Sequence, residues 1–135
     1  MKIKLDKGAY KPTRGHIDDA GLDLYSPVSM WLHPGKHEAI DTGVHVAIPP
    51  GYVGLITSKS GLMAKGITSR GTIDAGYTGS IKAVMYNHGP EGYLIEAGDK
   101  ITQLVIIPCI KPALEIVDAL DDTERGTGGF GSTGK

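Results

Sequence analysis

Short runs of alternating apolar and polar residues occur along most of the chain. This period of two is typical of β-strands that bury one face, because successive side chains of a strand point to opposite sides. One further run, residues 101–107, is apolar except for Thr102 and Gln103, which is typical of a strand buried on both faces. The pattern predicts strands within residues 3–5, 22–24, 37–48, 52–57, 81–86 and 101–107.

Glycine and proline separate these runs. The 135 residues include 20 glycines, roughly double the usual share of ~7%, and 8 prolines. Both residue types disfavour helix interiors, and the longest stretch without either is residues 113–125, so long helices are excluded from most of the chain. Many short strands joined by turns indicate an all-β sandwich or barrel.

Two segments do not follow the alternating pattern clearly. Residues 60–65 fit one or two helical turns with Ser60 as the N-cap, because a serine hydroxyl accepts hydrogen bonds from the first N–H groups of a helix. Residues 113–120 fit either the helical or the strand period. The β-branched pair Ile116 and Val117 and the neighbouring strands favour a strand there.

Composition limits the class of protein. The formal net charge is −1, so there is no basic excess and we expect no direct binding to nucleic acid. No apolar run approaches the ~18 residues of a membrane span, and the single cysteine, Cys109, has no intrachain partner for a disulfide. We therefore expect a cytoplasmic protein. Residues 121–135 are polar and glycine-rich, which predicts a flexible C-terminal tail after a β-rich domain of residues 1–120.

The tail combines residue types that suit a nucleotide. Phe130 is the only phenylalanine of the chain, and its ring can stack on a base. The guanidinium of Arg125 can donate to two oxygens of a phosphate. Further donors to phosphate are the backbone and hydroxyl groups of Gly131, Ser132 and Thr133. These residues predict a lid that becomes ordered over a bound nucleotide.

Two loops contain further candidate chemistry. In residues 71–77, Asp74 serves either as a turn residue or as a base beside a sugar that packs on Tyr77. Residues 57–61 form either a solvated loop or a phosphate site, in which backbone amides, hydroxyls and Lys59 would donate to phosphate oxygens. Neither loop alone decides between its two interpretations.

Five short stretches are informative as a set. They are AGLDL at residues 20–24, SKSGL at 58–62, residues 71–79 with Asn87 beyond them, GDKI at 98–101 with Gln103, and the tail at 125–134. In their order they resemble the five motifs of the trimeric dUTP pyrophosphatase (dUTPase) family. The resemblance implies a jelly-roll-like, all-β subunit in a homotrimer with shared active sites. In each site, one subunit supplies the base pocket, a second the phosphate contacts and a third its C-terminal tail.

The resemblance also implies a reaction. It is the hydrolysis of dUTP to dUMP and pyrophosphate by water attack on the α-phosphorus, which keeps uracil out of DNA and supplies dUMP for dTMP synthesis. Asp74 corresponds to the aspartate that activates the water, and Gln103 to a contact near the α-phosphate. Tyr77 corresponds to the tyrosine whose ring packs under the deoxyribose and leaves no room for a 2′-hydroxyl.

The remaining roles concern binding. Mg²⁺ would be held mainly by the triphosphate, with Asp23 near its water shell. The backbone between Ser69 and Gly71 corresponds to the segment that reads the uracil edge, beside Thr68. The other implied contacts are Lys59, Ser60 and Gly61 to phosphates, Phe130 over uracil, and the tail's phosphate clamp of Arg125, Gly131, Ser132 and Thr133.

Two positions depart from the family pattern. Lys59 stands where the family usually has arginine, and lysine keeps the charge but loses the two-pronged hydrogen bond. Thr68 stands where the family often has asparagine near the uracil, which puts side-chain readout of the base in doubt at that position.

Two alternative functions are compatible with these residues. A dCTP deaminase shares the fold and much of the motif pattern, but its deaminating glutamate corresponds to Thr78, which has no carboxylate. A dUTPase-like trimer could instead act as a regulatory binding protein whose partner senses the nucleotide state, with Trp31 as a contact if its ring is exposed. Asp74 and the complete tail favour the enzyme.

Overall fold

The computed structural model describes residues 1–129 of the chain. Within them the chain forms eleven β-strands and one four-residue α-helix, so the all-β prediction is confirmed. The elements are β1 (Lys2–Leu5), β2 (Gly21–Tyr25), β3 (Met30–Leu32), β4 (His37–Asp41), β5 (Val44–Ala47), β6 (Tyr52–Thr57), α1 (Ser60–Met63), β7 (Ile67–Ser69), β8 (Gly71–Ile73), β9 (Lys82–Asn87), β10 (Tyr93–Ile95) and β11 (Lys100–Pro108).

All strand pairs are antiparallel, and they form four small sheets. The largest has the order β2-β11-β6-β8, and a three-stranded sheet has the order β4-β9-β7. The pairs β1-β5 and β3-β10 complete the fold. Strand β11 is the longest and pairs with β2 on one edge and β6 on the other, so it lies at the centre of the largest sheet.

Two hydrophobic clusters fill the space between the sheets. One contains Leu24, Val44, Val46, Ile48, Ile56, Ile81 and Leu104, and the other contains Leu32, Ile40, Ile67, Ala83, Met85, Ile95 and Ile101. Most of these residues occupy the apolar positions of the alternating pattern, because strands that bury one face place every second side chain in the core. Strand β11 contributes Ile101 to one cluster and Leu104 to the other, and so it joins them.

The structure differs from the sequence prediction in one strand and in the N-cap of the helix. Residues 37–48 form two strands rather than one, because the chain turns at Gly43, whose φ of 67° lies in the left-handed region that favours glycine. The predicted N-cap at Ser60 was wrong by one residue. The N-cap is Lys59, whose backbone is extended, and Ser60 is already the first helical residue.

The prediction of a strand in residues 113–120 was also wrong. These residues form neither strand nor helix in the structure. Their apolar side chains lie in solvent, with Leu114 94% and Ile116 100% exposed. A strand needs a neighbouring strand to satisfy its backbone hydrogen bonds, and the described part of this chain presents none to this segment.

A buried polar cluster ties the site-bearing strands together. The Thr102 hydroxyl on β11 donates to the Thr57 carbonyl on β6 at 2.9 Å and lies 2.6 Å from the Ser69 hydroxyl on β7. The Ser58 hydroxyl bridges the Ser69 backbone, donating to its carbonyl and accepting from its N–H, both at 2.9 Å. Three strands are therefore held in fixed register by side-chain hydroxyls as well as by backbone pairing.

The described residues, 1–129, include no helix with the length and apolar character of a membrane span.

We expect Thr102→Val to lower the free energy of unfolding by about 2 kcal/mol, because the Thr57 carbonyl and the Ser69 hydroxyl lose a buried partner. Thr57→Val is the matched control. Its hydroxyl is buried and has no hydrogen-bond partner within residues 1–129, so its removal should not destabilise the fold. Urea unfolding at one fixed protein concentration measures both. Equal destabilisation by the two exchanges would contradict the assigned role of Thr102.

Candidate active site

The residues predicted on the phosphate side meet at the end of the largest sheet. Asp23 on β2 lies opposite Gln103 on β11, which in turn lies opposite Thr57 at the end of β6. Gly21 makes room for the Gln103 side chain, because a β-carbon on Gly21 would stand 2.9 Å from Gln103 Cδ. Together with Lys59 and Lys100, Asp23 and Gln103 line a depression of about 460 Å³.

Asp23 forms ion pairs with two lysines. Lys59 Nζ contacts its Oδ1, and Lys100 Nζ lies 2.8 Å from its Oδ2. Burial of the Asp23 carboxyl works to raise its pKa, but the hydrogen bonds from Lys100 and Lys59 outweigh burial, and the pKa is lowered. The hydrogen bond to Asp23 in turn raises the pKa of Lys100. Two ammonium groups and one carboxylate together carry one net positive charge, which suits the binding of an anion.

Helix α1 extends this side of the site. Its first residues, Ser60 and Gly61, are exposed, and the N–H groups of a first helical turn have no partner within the helix. The Lys59 carbonyl accepts the first hydrogen bonds of the helix, from Leu62 and Met63. Ser60 and Gly61 thus lie directly after Lys59, with backbone donors oriented away from the body of the helix.

Asp74 and Tyr77 are brought together by a tight turn after β8. The Tyr77 N–H donates to the Asp74 carbonyl at 3.1 Å, and Gly76 at the third position has φ = 97°, which is the geometry of a type II turn. The Tyr77 hydroxyl donates to the Ser80 carbonyl at 3.0 Å, and its ring packs across Gly79. Asp74 is exposed and Tyr77 is 45% exposed, so both face solvent beside each other.

The strands before this turn carry the residues predicted to read a base. Thr68 Oγ1 lies 2.9 Å from His88 Nε2, so its side chain is engaged with a histidine. Ser69 is buried, and both of its backbone groups bond to Ser58. The role found for Ser69 is therefore to fix β7 against β6, a contact that the motif alone did not indicate. Gly71, at the start of β8, is exposed.

The two groups of candidate residues do not meet within one chain. Strand β8 runs antiparallel to β6, with Gly71 opposite Ile56 and Ile73 opposite Gly54. The Asp74–Tyr77 turn therefore lies beyond Gly54, whereas Lys59 follows the other end of β6. The three steps along β6 from Gly54 to Thr57 alone span roughly 10 Å at ~3.3 Å per residue. Within one chain, the two groups therefore lie towards opposite ends of β6.

The tail is described only in part. Arg125 is exposed, and its Nε donates to the Gly128 carbonyl at 3.0 Å within a turn at residues 123–128. The other predicted tail residues lie outside the described residues: Phe130, Gly131, Ser132 and Thr133.

Sequence reasoning missed two residues of this site. Lys100 pairs with Asp23, and it lies inside the stretch GDKI that contributed to the resemblance, so its charge was an available signal. Ser58 bridges the backbone of Ser69 across eleven positions of sequence. A serine in a polar loop gives no local sign of such a contact.

Comparisons with known proteins agree on one family. A family model described as dUTPase matches residues 8–134. The "Deoxyuridine 5'-triphosphate nucleotidohydrolase" of Clostridium tetani is 45% identical over 140 residues, covering 100% of this chain and 97% of that protein. A Staphylococcus bacteriophage 80alpha dUTPase with dUPNHPP superposes with a TM-score of 0.93 at 36% identity, covering 99% and 98% of the two chains.

A second structure bears on metal binding. A mutant dUTPase from phage phi11 of Staphylococcus aureus, described with a structural Mg(II) ion, superposes with a TM-score of 0.82 at 33% identity, covering 87% of this chain and 96% of that one. The sequence and structural matches extend over the strands, the Asp23 depression and the Asp74–Tyr77 turn. The chain therefore belongs to the dUTPase family and has its jelly-roll-like, all-β fold.

Proposed function

We propose that the protein hydrolyses dUTP to dUMP and pyrophosphate by water attack on the α-phosphorus, and that it thereby keeps uracil out of DNA and supplies dUMP for dTMP synthesis. The observation that carries this proposal is the turn that presents Asp74 and Tyr77 side by side to solvent, in a chain of the dUTPase family. The deaminase alternative lacks a carboxylate at Thr78, and the relatives are named as dUTP nucleotidohydrolases.

Asp74 is the general base in this mechanism. Its exposed carboxylate accepts a proton from the attacking water, and a positioned carboxylate contributes typically 10²- to 10⁴-fold to such a step. The Gln103 amide, which borders the Asp23 depression, orients the water and the α-phosphate. Positioning and charge stabilisation supply most of the rate in phosphoryl transfer, so the geometry of these two groups matters more than their intrinsic reactivity.

Tyr77 selects the sugar. Its ring is fixed by the hydroxyl contact to Ser80 and by packing across Gly79, so it presents a rigid face to a deoxyribose. A 2′-hydroxyl on that face would be held against the ring without a hydrogen-bond partner, which is unfavourable. Thr68 and the backbone at Gly71 face the uracil, while Ser69 supports them from beneath.

Lys59, Ser60 and Gly61 bind the phosphates. The ion pair with Asp23 orients the Lys59 ammonium, which compensates in part for the missing arginine fork. Ser60 and Gly61 add backbone donors from the start of α1.

The triphosphate would be the main ligand of Mg²⁺, with Asp23 near the water shell of the ion. Residues 1–129 contain no cluster of three or more His, Cys, Asp or Glu side chains that could hold a metal ion. Magnesium keeps several waters and binds through phosphates and one or two carboxylates, so the triphosphate and Asp23, through water, fit it. When bound, the ion neutralises charge on the triphosphate.

The assembly is a homotrimer with shared sites. The separation of the Asp74–Tyr77 turn from Lys59 within one chain supports the sharing of each site between subunits. The tail of residues 121–135 acts as the lid of a site on other subunits, with Arg125, Gly131, Ser132 and Thr133 on phosphate and Phe130 over uracil.

We expect Asp74→Asn to lower kcat on dUTP by at least 10²-fold with little change in KM, because asparagine keeps the shape of the side chain but its amide cannot take the proton. Asp118→Asn, an exposed carboxylate outside the site, is the matched control. Pyrophosphate release in the presence of Mg²⁺ measures both. Full activity of Asp74→Asn would remove Asp74 from the mechanism.

Tyr77→Ala should lose discrimination between dUTP and UTP, whereas Tyr77→Phe should largely retain it. The ring excludes the 2′-hydroxyl, and only the alanine exchange removes the ring. We expect the ratio of kcat/KM for dUTP over UTP to fall by roughly tenfold or more in Tyr77→Ala, in the range typical of small steric differences in a pocket. An unchanged ratio would show that another residue selects the sugar.

Removal of residues 126–135 should leave the fold intact and abolish most turnover, because the lid is lost. The sharing of sites is tested by refolding this truncated chain together with full-length Asp74→Asn. Neither protein is active alone, but mixed trimers contain sites that join an intact Asp74 to a tail from another subunit. Recovery of pyrophosphate release supports shared sites, and its absence in verified mixed trimers contradicts them.

A further inference from the structure

The loop that follows Tyr77 is anchored on the connection between β4 and β5. The Thr42 hydroxyl donates to the Ile81 carbonyl at 2.7 Å, and the Ser80 hydroxyl donates to the Asp41 carboxylate. Hydroxyl groups keep their protons near neutral pH, and the Ser80 hydrogen bond lowers the pKa of Asp41, so both anchors persist through that range. They hold the far end of the loop, three and four residues beyond Tyr77.

A third anchor holds the residue directly after Tyr77. His45 on β5 lies with Nδ1 2.7 Å from the Thr78 carbonyl oxygen and with Nε2 2.9 Å from Asp6 Oδ2. Asp6 also pairs with Lys4 at 3.2 Å. The His45 side chain is only 18% exposed, so its ring is enclosed between the N-terminal strand and the loop.

Both partners of the ring are hydrogen-bond acceptors. A neutral imidazole has one N–H, so it can donate either to the Thr78 carbonyl or to the Asp6 carboxylate, and its other nitrogen then directs a lone pair at an oxygen. The imidazolium donates to both. The hydrogen bond to the Thr78 backbone, followed by that to Asp6, raises the pKa of His45, and the bond from His45 lowers the pKa of Asp6.

The charged groups around His45 come from one side. On β1, Lys4 lies directly opposite His45 in the strand pair and Lys2 lines the same depression, while Asp6 follows the strand. The Lys4 charge opposes protonation of the ring weakly, and Asp6 favours it. The loop side offers the Thr78 carbonyl, and residues 78–80 have no ionisable side chain.

We propose that His45 is a positioning residue for dUTP hydrolysis: as an imidazolium it links the Thr78 carbonyl to Asp6 and fixes the loop that presents Tyr77 to the sugar. The inference rests on the proposed role of Tyr77. When the ring loses its proton, one of the two hydrogen bonds is lost, so His45 no longer links the Thr78 carbonyl to Asp6. The residue next to Tyr77 is then held less firmly, while the anchors at Ser80 and Ile81 remain.

The direction of the pH effect follows from the raised pKa. The link from the Thr78 carbonyl through His45 to Asp6 is complete below the ordinary histidine pKa of ~6.5. It is lost as the pH rises through the higher pKa of His45 in the folded protein. Other groups also change the rate with pH, so the informative quantity is the ratio of kcat/KM of the unmodified protein to that of His45→Gln. Glutamine fills the site, but both of its N–H donors are on one nitrogen and cannot take the places of the two ring nitrogens.

We expect this ratio to be about tenfold near pH 6 and to approach one near pH 9, since small displacements of a positioning group have effects of this size and larger. Asp6→Asn removes the carboxylate that favours the imidazolium. When both proteins of the comparison carry Asp6→Asn, the decline of the kcat/KM ratio towards one should therefore begin at a lower pH. His33→Gln, an exposed histidine on the β3–β4 turn, is the matched control and should give a ratio of one throughout.

A second measurement does not depend on activity. NMR titration of the histidine ring protons should give His45 a pKa above the ordinary histidine value of ~6.5, and Asp6→Asn should lower it. A ratio that does not change with pH, or a His45 pKa at or below that ordinary value, overturns the proposal. If the protein still hydrolyses dUTP while giving either of these results, only the proposed role of His45 is overturned, and the proposed function stands. A raised His45 pKa together with full sugar discrimination in Tyr77→Ala overturns the proposed role of Tyr77, on which the proposed role of His45 rests.

Discussion

Strand β11 pairs along both of its edges, and the arrangement of the site depends on this double pairing. On one edge it sets Gln103 opposite Asp23, and on the other edge it sets Gln103 opposite Thr57. The alternation of side chains along the strand then places Thr102 in the buried hydroxyl cluster and Gln103 in the depression with Asp23. One strand thus joins the two hydrophobic clusters, contributes to the buried hydroxyl cluster and presents Gln103, the side chain proposed to orient the water.

Ion pairs fix the side chains that strand pairing brings together around Asp23. Asp23 is shared by Lys59, from the loop before the helix, and by Lys100, from the start of β11. A single exposed ion pair contributes little, but a carboxylate that is largely buried and bonded by two ammonium groups fixes the direction of all three side chains. In the proposed mechanism, Asp23 gives the Lys59 ammonium the orientation that a guanidinium would have by its own planarity.

The parts of the fold that follow from local pattern were predictable, and the parts that follow from distant contacts were not. Residues 101–107 have a continuous apolar run and form β11, whereas β3, β7, β8 and β10 have three residues each, too few to show a period. The five motifs indicated the site because their chemistry is local. The bonds of His45 reach across 33 and 39 positions, to partners whose own sequence surroundings are unremarkable.

The segment after β11 exposes apolar side chains in the isolated chain, and burying them would be favourable. Leu114 and Ile116 are almost wholly in solvent, within residues 113–120, where only Glu115 and Asp118 are charged. Such a stretch lowers its free energy by covering its apolar side chains and pairing its backbone, whether with the correct neighbour or with an incorrect one. Newly made chains in which this segment stays uncovered are therefore prone to aggregation, and any contact that covers it competes kinetically with that outcome.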